Sequence, residues 1–250
     1  MKNIKISKDD LIILYIDLKS IHKVGKELNV SGNTISRWLK FYSIKVLNDP
    51  KRFSYIKDKS FTDIQNQFIV GSMLGDGNID FSRGSARLRF CHGSGQIEYL
   101  KWKKEILGDL VQQDIGIYTQ KERNSTAILI QTIQHQEFEK YYEKFYYNGK
   151  KVIPKDIQNI LTPFGLAVWY MDDGSKIKDS RGLVLCTDSF STNENLLLVD
   201  VLKNKFNIIS NLRNSSNRIC IYGDEVDKFF DLIKDYIIPS MHYKLEKYER

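Results

Sequence analysis

An internal repeat, centred on two Asp-Gly segments, is the feature that most constrains how this chain can fold. The segment FIVGSMLGDGN (residues 68–78) parallels LAVWYMDDGSK (residues 166–176), and each is an apolar helical pattern that closes on aspartate and glycine. The same series of predicted elements follows each segment: a strand, a helix, a second strand and a second helix. This repeat predicts two α/β units related by a pseudo-two-fold axis, with Asp76 and Asp173 as symmetry mates.

The two apolar helices carry capping signals at both ends. The first begins with a capping-box pattern, Thr62 with Gln65, and the second begins at Thr162, which precedes a proline at the first helical position. Gly77 and Gly174 are the expected C-terminal stops. A carboxylate at this end of a helix opposes the helix dipole, so the two aspartates require compensation from another group.

Two carboxylates at adjacent helix ends indicate a metal site. Gly71 and Gly75 are spaced four apart, which lets the helix backbones approach closely and brings Asp76 and Asp173 within a few ångströms. Carboxylates that close repel each other unless cations lie between them. The three cysteines are far apart and the sequence has no histidine cluster, so hard oxygen ligands favour Mg²⁺.

The charge of the chain indicates a polyanionic partner. Lysine and arginine number 38 against 31 acidic residues, a net charge of +7, which favours nucleic acid without proving it. No apolar run approaches the ~18 residues of a membrane span, so we expect no membrane association. The N-terminal apolar stretch is interrupted by aspartates and lacks a cleavage-site pattern. We therefore expect a cytoplasmic protein, bacterial or phage-encoded in preference to organellar.

Residues 1–48 are predicted to form a helix-turn-helix module, joined by a linker over residues 49–60. In SIHKVGKELNVSGNTISRWLK (residues 20–40) the apolar positions fit two short helices crossed over a small core. Asn29 supplies the turn and Ser31 caps the second helix. A helical hairpin used only for packing is the alternative. In a DNA-binding module, the second helix would present short polar and basic side chains to a major groove, namely Asn33, Thr34, Ser36 and Arg37.

The two Asp-Gly segments resemble the motifs of the LAGLIDADG homing endonucleases, in particular the single-chain members that carry two copies. The copies here are IVGSMLGDG (residues 69–77) and LAVWYMDDG (residues 166–174), and the resemblance includes YIIPSMHYKL (residues 236–245). It implies an α+β fold of two αββαββα units, residues 61–154 and 155–250, with two curved antiparallel sheets laid in the major groove. The helix-turn-helix lies outside this family pattern.

The resemblance also implies an activity and a set of site residues. In this family the carboxylate before each closing glycine is a catalytic metal ligand, and the carbonyl just before it assists. These ligands correspond to Asp76 and Asp173, with Gly75 and Asp172 as the carbonyl donors. The two active-site lysines correspond to Lys151 and Lys244, and Lys150 is a neighbouring candidate. Two or three Mg²⁺ ions shared between the aspartates would serve a site-specific double-strand break in DNA, made by a monomer with internal pseudo-dimer symmetry.

DNA contacts are expected from basic side chains on the solvent faces of the two sheets. The candidates are Arg83, Arg87, Arg89, Lys121, Arg123, Lys176, Lys178, Arg181, Arg213 and Arg218. For any one of them, a solvated surface charge is nearly as good an interpretation as a DNA contact.

The sequence departs from the family pattern at three positions, and other functions remain open. Leu74 and Met171 stand where an acidic residue is usual, and Val168 stands where a packing glycine is usual. An RNA maturase on the same fold would take intron RNA as its partner, and a transcription regulator would bind DNA without cutting it. A glycosidase could use the carboxylate pair, but neither the basic charge nor the paired lysines serve that chemistry. The intact aspartates favour the endonuclease.

Overall fold

The computed structural model describes residues 6–18, 20–44, 56, 59–82, 84–120, 125–178 and 180–245. The chain divides into two compact units, Met1–Lys59 and Ser60–Arg250. Most of the predicted linker, residues 49–55 and 57–58, lies outside the described residues. Within the described ranges, no helix is both long enough and apolar enough to cross a bilayer.

The first unit is a small helical bundle. Its helices are α1 (Lys8–Leu18), α2 (Ile21–Glu27) and α3 (Gly32–Phe41). The predicted turn between α2 and α3 is confirmed, since Asn29 has a left-handed backbone with φ of 51° and the Ser31 side chain caps α3 by accepting from the Thr34 N–H. Helix α1, which the helix-turn-helix pattern does not include, completes the core, made of Leu11, Tyr15, Val24, Ile35, Trp38 and Leu39.

The second unit contains the repeat that the sequence predicts. Its first copy consists of α4 (Asp63–Leu74), β1 (Asn78–Ser82), β2 (Ser85–Gly93), α5 (Ile97–Leu107), β3 (Gly116–Gln120), β4 (Ser125–Gln131) and α6 (Gln136–Phe145). A short hairpin, β5 (Tyr146–Tyr147) with β6 (Lys150–Lys151), and helix α7 (Ile157–Ile160) connect the copies. The second copy consists of α8 (Pro163–Asp173), β7 (Gly174–Lys176), β8 (Gly182–Leu185), α9 (Thr192–Phe206), β9 (Asn211–Arg213), β10 (Arg218–Tyr222) and α10 (Asp224–Ile233).

The two four-stranded sheets have the same strand order. They run β1-β2-β4-β3 and β7-β8-β10-β9, and every pairing is antiparallel. Along β2, Ala86, Leu88 and Phe90 are buried while Arg87 and Arg89 alternate with them on the other face. The α+β fold of two αββαββα units is therefore confirmed, and each sheet has one apolar face against helices and one face towards solvent.

Helices α4 and α8 pack against each other through glycine. A Cβ atom at Gly71 would overlap the carbonyl oxygen of Gly165 and lie 2.8 Å from Cβ of Val168. A Cβ atom at Gly75 would overlap the Asp172 side chain. The predicted close approach is confirmed, and Val168 makes it asymmetric by packing against the bare backbone of Gly71.

The predicted N-terminal signals of these helices are also confirmed, but the first helix ends earlier than expected. Helix α8 ends at Asp173 with Gly174 as its cap, as predicted, whereas α4 ends at Leu74 with Gly75 as its cap. The expected stop at Gly77 is wrong because the Ser72 carbonyl accepts from the N–H groups of both Gly75, at 3.1 Å, and Gly77, at 2.8 Å. These bonds turn the chain two residues earlier, so Asp76 lies beyond the helix end.

Candidate active site

The aspartates of the two motifs share one electrostatic environment at the C-terminal ends of α4 and α8. Burial, followed by the negative charges of Asp76 and Asp172, raises the pKa of Asp173 to about 7. Burial and the Asp172 carboxylate also raise the pKa of Asp76. The Asp76 and Asp172 carboxylates therefore disfavour ionisation of Asp173, and a divalent cation between these groups would relieve that repulsion.

Two lysines cap the helix ends that carry these aspartates. Lys151 Nζ donates to the carbonyl oxygens of Gly75 at 2.9 Å and Gly77 at 2.7 Å. Lys244, in the 3-10 turn Pro239–Lys244, donates to the carbonyls of Tyr170 at 3.2 Å and Met171 at 2.5 Å. The two lysines predicted as symmetry-related thus both donate to carbonyls at the motif ends, although at different motif positions. Burial lowers the pKa of both lysines, and the nearby aspartates oppose that shift.

The alternative candidate, Lys150, differs from its neighbour Lys151 in how far it is buried. Lys150 is exposed, whereas Lys151 is partly buried and bonded to the turn that contains Asp76. Of the two lysines, Lys151 is therefore the one that lies beside the motif aspartates.

Asp172 lies in the site through its side chain, a role that the sequence did not predict. Its side chain has no exposed surface and forms an ion pair of 2.6 Å with Lys103, which is likewise fully buried. Tyr99 Oη donates to the same carboxylate oxygen at 2.6 Å, and the Asp76 N–H donates to the other at 3.1 Å. One sequence signal for Lys103 existed: it falls on the buried stripe of α5 with Tyr99, Leu100 and Leu107.

The predicted carbonyl donors have different surroundings. The Gly75 carbonyl already accepts from Lys151, which leaves its second lone pair for another partner. Asp172 is still a candidate through its carbonyl, and the structure adds the buried carboxylate described above. The two motifs are therefore not equivalent at this position, since Gly75 has no side chain to match that of Asp172.

A histidine outside the predicted set lies beside Asp76. His92 Nδ1 is 3.6 Å from Asp76 Oδ2, and the imidazole is 2% exposed. Burial and then the Lys103 charge lower the pKa of His92 to about 4, so the ring is neutral at pH 7. Ligand atoms of Asp76, His92 and Asp172 all lie within 4.8 Å of one another. The donor set fits a divalent cation with oxygen ligands, and it adds one nitrogen donor that the sequence analysis did not anticipate.

Basic residues of the first sheet are partly paired. Arg87 and Arg89 lie on the solvent face of β2 as predicted, and Asp80 on β1 shares that face. Arg87 Nη2 is 2.9 Å from the Asp80 carboxylate and Arg89 Nη1 is 3.9 Å from it. Three further candidates, Arg83, Lys121 and Arg123, lie outside the described residues.

In the second sheet, the strand register shows that the predicted DNA-binding residues do not all share one face. Arg213 and Arg218 are directly opposite each other on β9 and β10, and Arg218 Nε is 2.7 Å from the Asp188 carboxylate. Lys176 is opposite the fully buried Leu183. Directly paired residues share a face, so Lys176 points towards the helix-packed side, contrary to expectation.

The loop between β7 and β8 carries the last two candidates of this set. Lys178 is exposed. Arg181 forms ion pairs with Asp224, at 3.0 Å, and with Asp227, two acidic residues in the first turn of α10. The charge of Arg181 is therefore offset within the fold.

In the first unit, the predicted recognition side chains lie on the surface of α3. Asn33 and Arg37 are exposed, and Thr34 and Ser36 are partly exposed. The Thr34 hydroxyl lies 2.9 Å from that of the capping Ser31. Asn33 and Arg37 are the two with the most surface to offer a ligand.

Comparison with known proteins finds a matching family model and several relatives. The model of the LAGLIDADG DNA endonuclease family matches residues 66–229. A cytochrome b mRNA maturase bI2 of Debaryomyces hansenii is 32% identical over 194 residues, which cover 73% of each protein. A probable intron-encoded endonuclease 1 of Wickerhamomyces canadensis is 28% identical over 197 residues, covering 74% of this chain and 85% of the relative.

Other relatives are longer than the matched region, and one solved structure matches closely. A protein RecA of Mycobacterium shimoidei is 30% identical over 218 residues, 80% of this chain and 50% of the relative. The chain thus spans about half the length of that protein.

The homing endonuclease I-WcaI, bound to its DNA recognition sequence, superposes with a TM-score of 0.74 at 28% identity, covering 81% of this chain and 95% of the other.

Proposed function

Because the chain belongs to the LAGLIDADG DNA endonuclease family, we propose that it is a site-specific endonuclease that makes a double-strand break at a long DNA target. The observation that carries the proposal is the arrangement of Asp76 and Asp173 at adjacent helix ends, each with a lysine on the neighbouring carbonyls. A DNA-binding scaffold without catalysis would need neither the carboxylates nor the lysines. The biological role that fits is homing of an intron or gene.

In this proposal the side chains divide the chemistry between them. Asp76 and Asp173 would hold the metal ions, with help from the carbonyls of Gly75 and Asp172 and, at the first motif, from His92. Bound Mg²⁺ would activate a water molecule and stabilise the leaving oxygen. Lys151 and Lys244 would stabilise the negative charge that develops on the phosphate. Since each αββαββα unit contributes one aspartate and one lysine, the arrangement suits the cutting of both strands.

Double-stranded DNA would lie along the solvent faces of the two sheets. Arg87, Arg89, Arg213 and Arg218 lie on strands of these sheets and would contact bases and phosphates. Arg87 and Arg218 are oriented by acidic neighbours, which favours a fixed donor geometry over a mobile surface charge. We propose that the first unit binds the same DNA molecule through α3 and adds affinity by tethering.

The test is cleavage of a plasmid library that carries randomised candidate target sites. With Mg²⁺, the proposal predicts linear product enriched in one site, and no product when EDTA replaces Mg²⁺. Specific binding without cutting under Mg²⁺ or Mn²⁺ would contradict it and would favour a regulator. Mn²⁺ is included because the structure offers an imidazole beside the carboxylates.

An RNA maturase is the second candidate, because two relatives from yeasts are named cytochrome b mRNA maturase bI2. Binding of the host intron RNA with stimulation of its splicing would support this function, and it can coexist with DNA cleavage. The yeast sources of these relatives give no support to the expected bacterial or phage cytoplasm.

A further inference from the structure

A buried ion pair, Lys103 with Asp172, lies at the candidate active site and is bonded to the backbone of Asp76. Asp172 Oδ1 accepts from Lys103 Nζ and from Tyr99 Oη, both at 2.6 Å. Asp172 Oδ2 accepts from the backbone N–H of Asp76 at 3.1 Å. A side chain of the second motif therefore contacts the backbone of the aspartate of the first motif.

Lys103 is deeply enclosed. Its side chain has no exposed surface, and its Nζ lies over the rings of Phe90, 4.2 Å from the centroid, and Tyr99, 4.5 Å from the centroid. Burying two charges costs solvation energy, and an apolar pair of similar volume often stabilises a fold as well or better. Fold stability alone is therefore a weak explanation of this pair.

The two motif aspartates differ in how their backbones are held. Asp173 is the last residue of α8, so its backbone is fixed by the helix. Asp76 lies beyond the end of α4, which stops at Leu74. The hydrogen bond to Asp172 anchors the Asp76 N–H from outside the helix. The position corresponding to Asp172 in the first motif is Gly75, which has no side chain to provide an equivalent anchor.

We propose that Asp172 and Lys103 form a positioning pair for Asp76. The Asp172 carboxylate fixes the Asp76 backbone, and Lys103, assisted by Tyr99, holds that carboxylate and compensates its charge. The catalytic consequence rests on the proposed endonuclease function. The centre around Asp76 depends on the pair, whereas the Asp173 backbone does not, so loss of the pair slows one DNA strand more than the other.

The test replaces the pair and follows Asp76 in two ways. In Lys103→Met/Asp172→Ala protein kept in EDTA, the Asp76 amide proton moves upfield in a ¹H–¹⁵N spectrum and exchanges with solvent at least about 10-fold faster. In single-turnover cleavage with each strand separately labelled, the ratio of the two strand rates changes by at least about 10-fold. The near-isosteric Lys103→Met/Asp172→Asn protein shows the same changes to a smaller degree, and it takes the place of the first variant if that one does not fold.

The matched control removes an exposed ion pair from the same helix. Lys101 and Glu98 on α5 lie 2.7 Å apart at the surface, and Lys101→Met/Glu98→Ala leaves the Asp76 amide and the strand ratio unchanged. An unchanged Asp76 amide in the Lys103/Asp172 variants overturns the positioning role. Equal slowing of both strands, in proportion to a loss of thermal stability, also overturns it. If the wild-type chain cuts no DNA, the proposed function fails, and the amide measurement still decides the positioning role.

Discussion

Lys151 and Gly75 are joined by a hydrogen bond of 2.9 Å, from the side-chain Nζ to the carbonyl oxygen, in the turn that carries Asp76. Lys244 donates to the Met171 carbonyl at 2.5 Å, two residues before Asp173 and one motif position earlier than the Lys151 bond to Gly75. The carbonyl end of a helix is its negative pole, so each ammonium group offsets both the dipole and the nearby carboxylates. The lysines thus provide the compensation that two aspartates at helix C-termini require.

Removing either lysine is predicted to impair cleavage more than binding. Lys151→Met and Lys244→Met each lower the single-turnover cleavage rate by at least about 100-fold, because a charge that stabilises the phosphate is lost. Affinity for the target, measured in EDTA by fluorescence anisotropy, changes little. The control is Lys150→Met, which removes an exposed positive charge from the same strand and is expected to cut normally. Full activity of both variants would exclude the lysines from catalysis.

Stability in the absence of metal is predicted to depend on Asp173 and on pH. The pKa of Asp173 in the folded protein is about 7, against an ordinary value of 3.8. The folded state therefore binds more protons than the unfolded state between about pH 4 and pH 7, and stability falls as pH rises through this window. In EDTA at pH 8, Asp173→Asn raises the free energy of unfolding by about 1–2 kcal/mol, a value reduced to allow for solvent screening.

The same comparison at about pH 2.5 provides the internal control, since the wild-type carboxyl is then almost fully protonated in both states and the difference nearly disappears. Asp200→Asn, at an exposed position of α9, serves as the matched substitution. Denaturant unfolding followed by circular dichroism gives the free energies. An Asp173→Asn protein that is less stable than wild type at pH 8 would contradict the inferred cost of ionisation.

The contact between helices α4 and α8 is predicted to tolerate no side chain at Gly71. Gly71→Ala introduces a Cβ that overlaps the Gly165 carbonyl and is expected to destabilise the second unit by about 1–3 kcal/mol or more. Gly95→Ala is the control, because a Cβ at that position meets no atom within 4 Å. Equal melting temperatures for the two variants would show that the helices are free to separate.

DNA binding by the first unit is predicted to change how steeply target affinity falls as the salt concentration rises. Arg37 is an exposed basic residue of α3, and a phosphate contact there would release about one counterion. Arg37→Ala then weakens target binding and lowers the slope of log K against log salt concentration by about 1. Lys8→Ala, at an exposed position of α1, leaves the slope unchanged. An unaltered slope for Arg37→Ala would argue against DNA contact by α3.

Local patterns in the sequence were sufficient to predict the repeat, the caps at Thr62 and Thr162, and the alternation along β2. They failed where the outcome depends on distant contacts. Lys103 and Asp172 are 69 positions apart, and only the packed structure brings them together. The sheet face on which Lys176 lies is set by its register against β8, and the sequence of β7 alone does not predict that register.

The helix end and the histidine show the same limit. Nothing local distinguishes Gly75 from Gly77 as a stop, because the choice depends on the Ser72 carbonyl and on the Asp172 side chain packed against Gly75. In the sequence, His92 looks like an ordinary residue of strand β2, because its proximity to Asp76 exists only in the folded structure. Residues that act through long-range proximity were therefore the ones that sequence reasoning missed.

The most direct test of the central claim is to compare wild type, Asp76→Asn and Asp173→Asn on the target found by library cleavage, with Mg²⁺ present. If the two aspartates form one metal-dependent nuclease site, wild type makes a double-strand break. Each variant then loses at least about 1,000-fold in the rate of double-strand cleavage while binding the target in EDTA as tightly as wild type. Double-strand cleavage at the wild-type rate by either variant would contradict a shared site at Asp76 and Asp173.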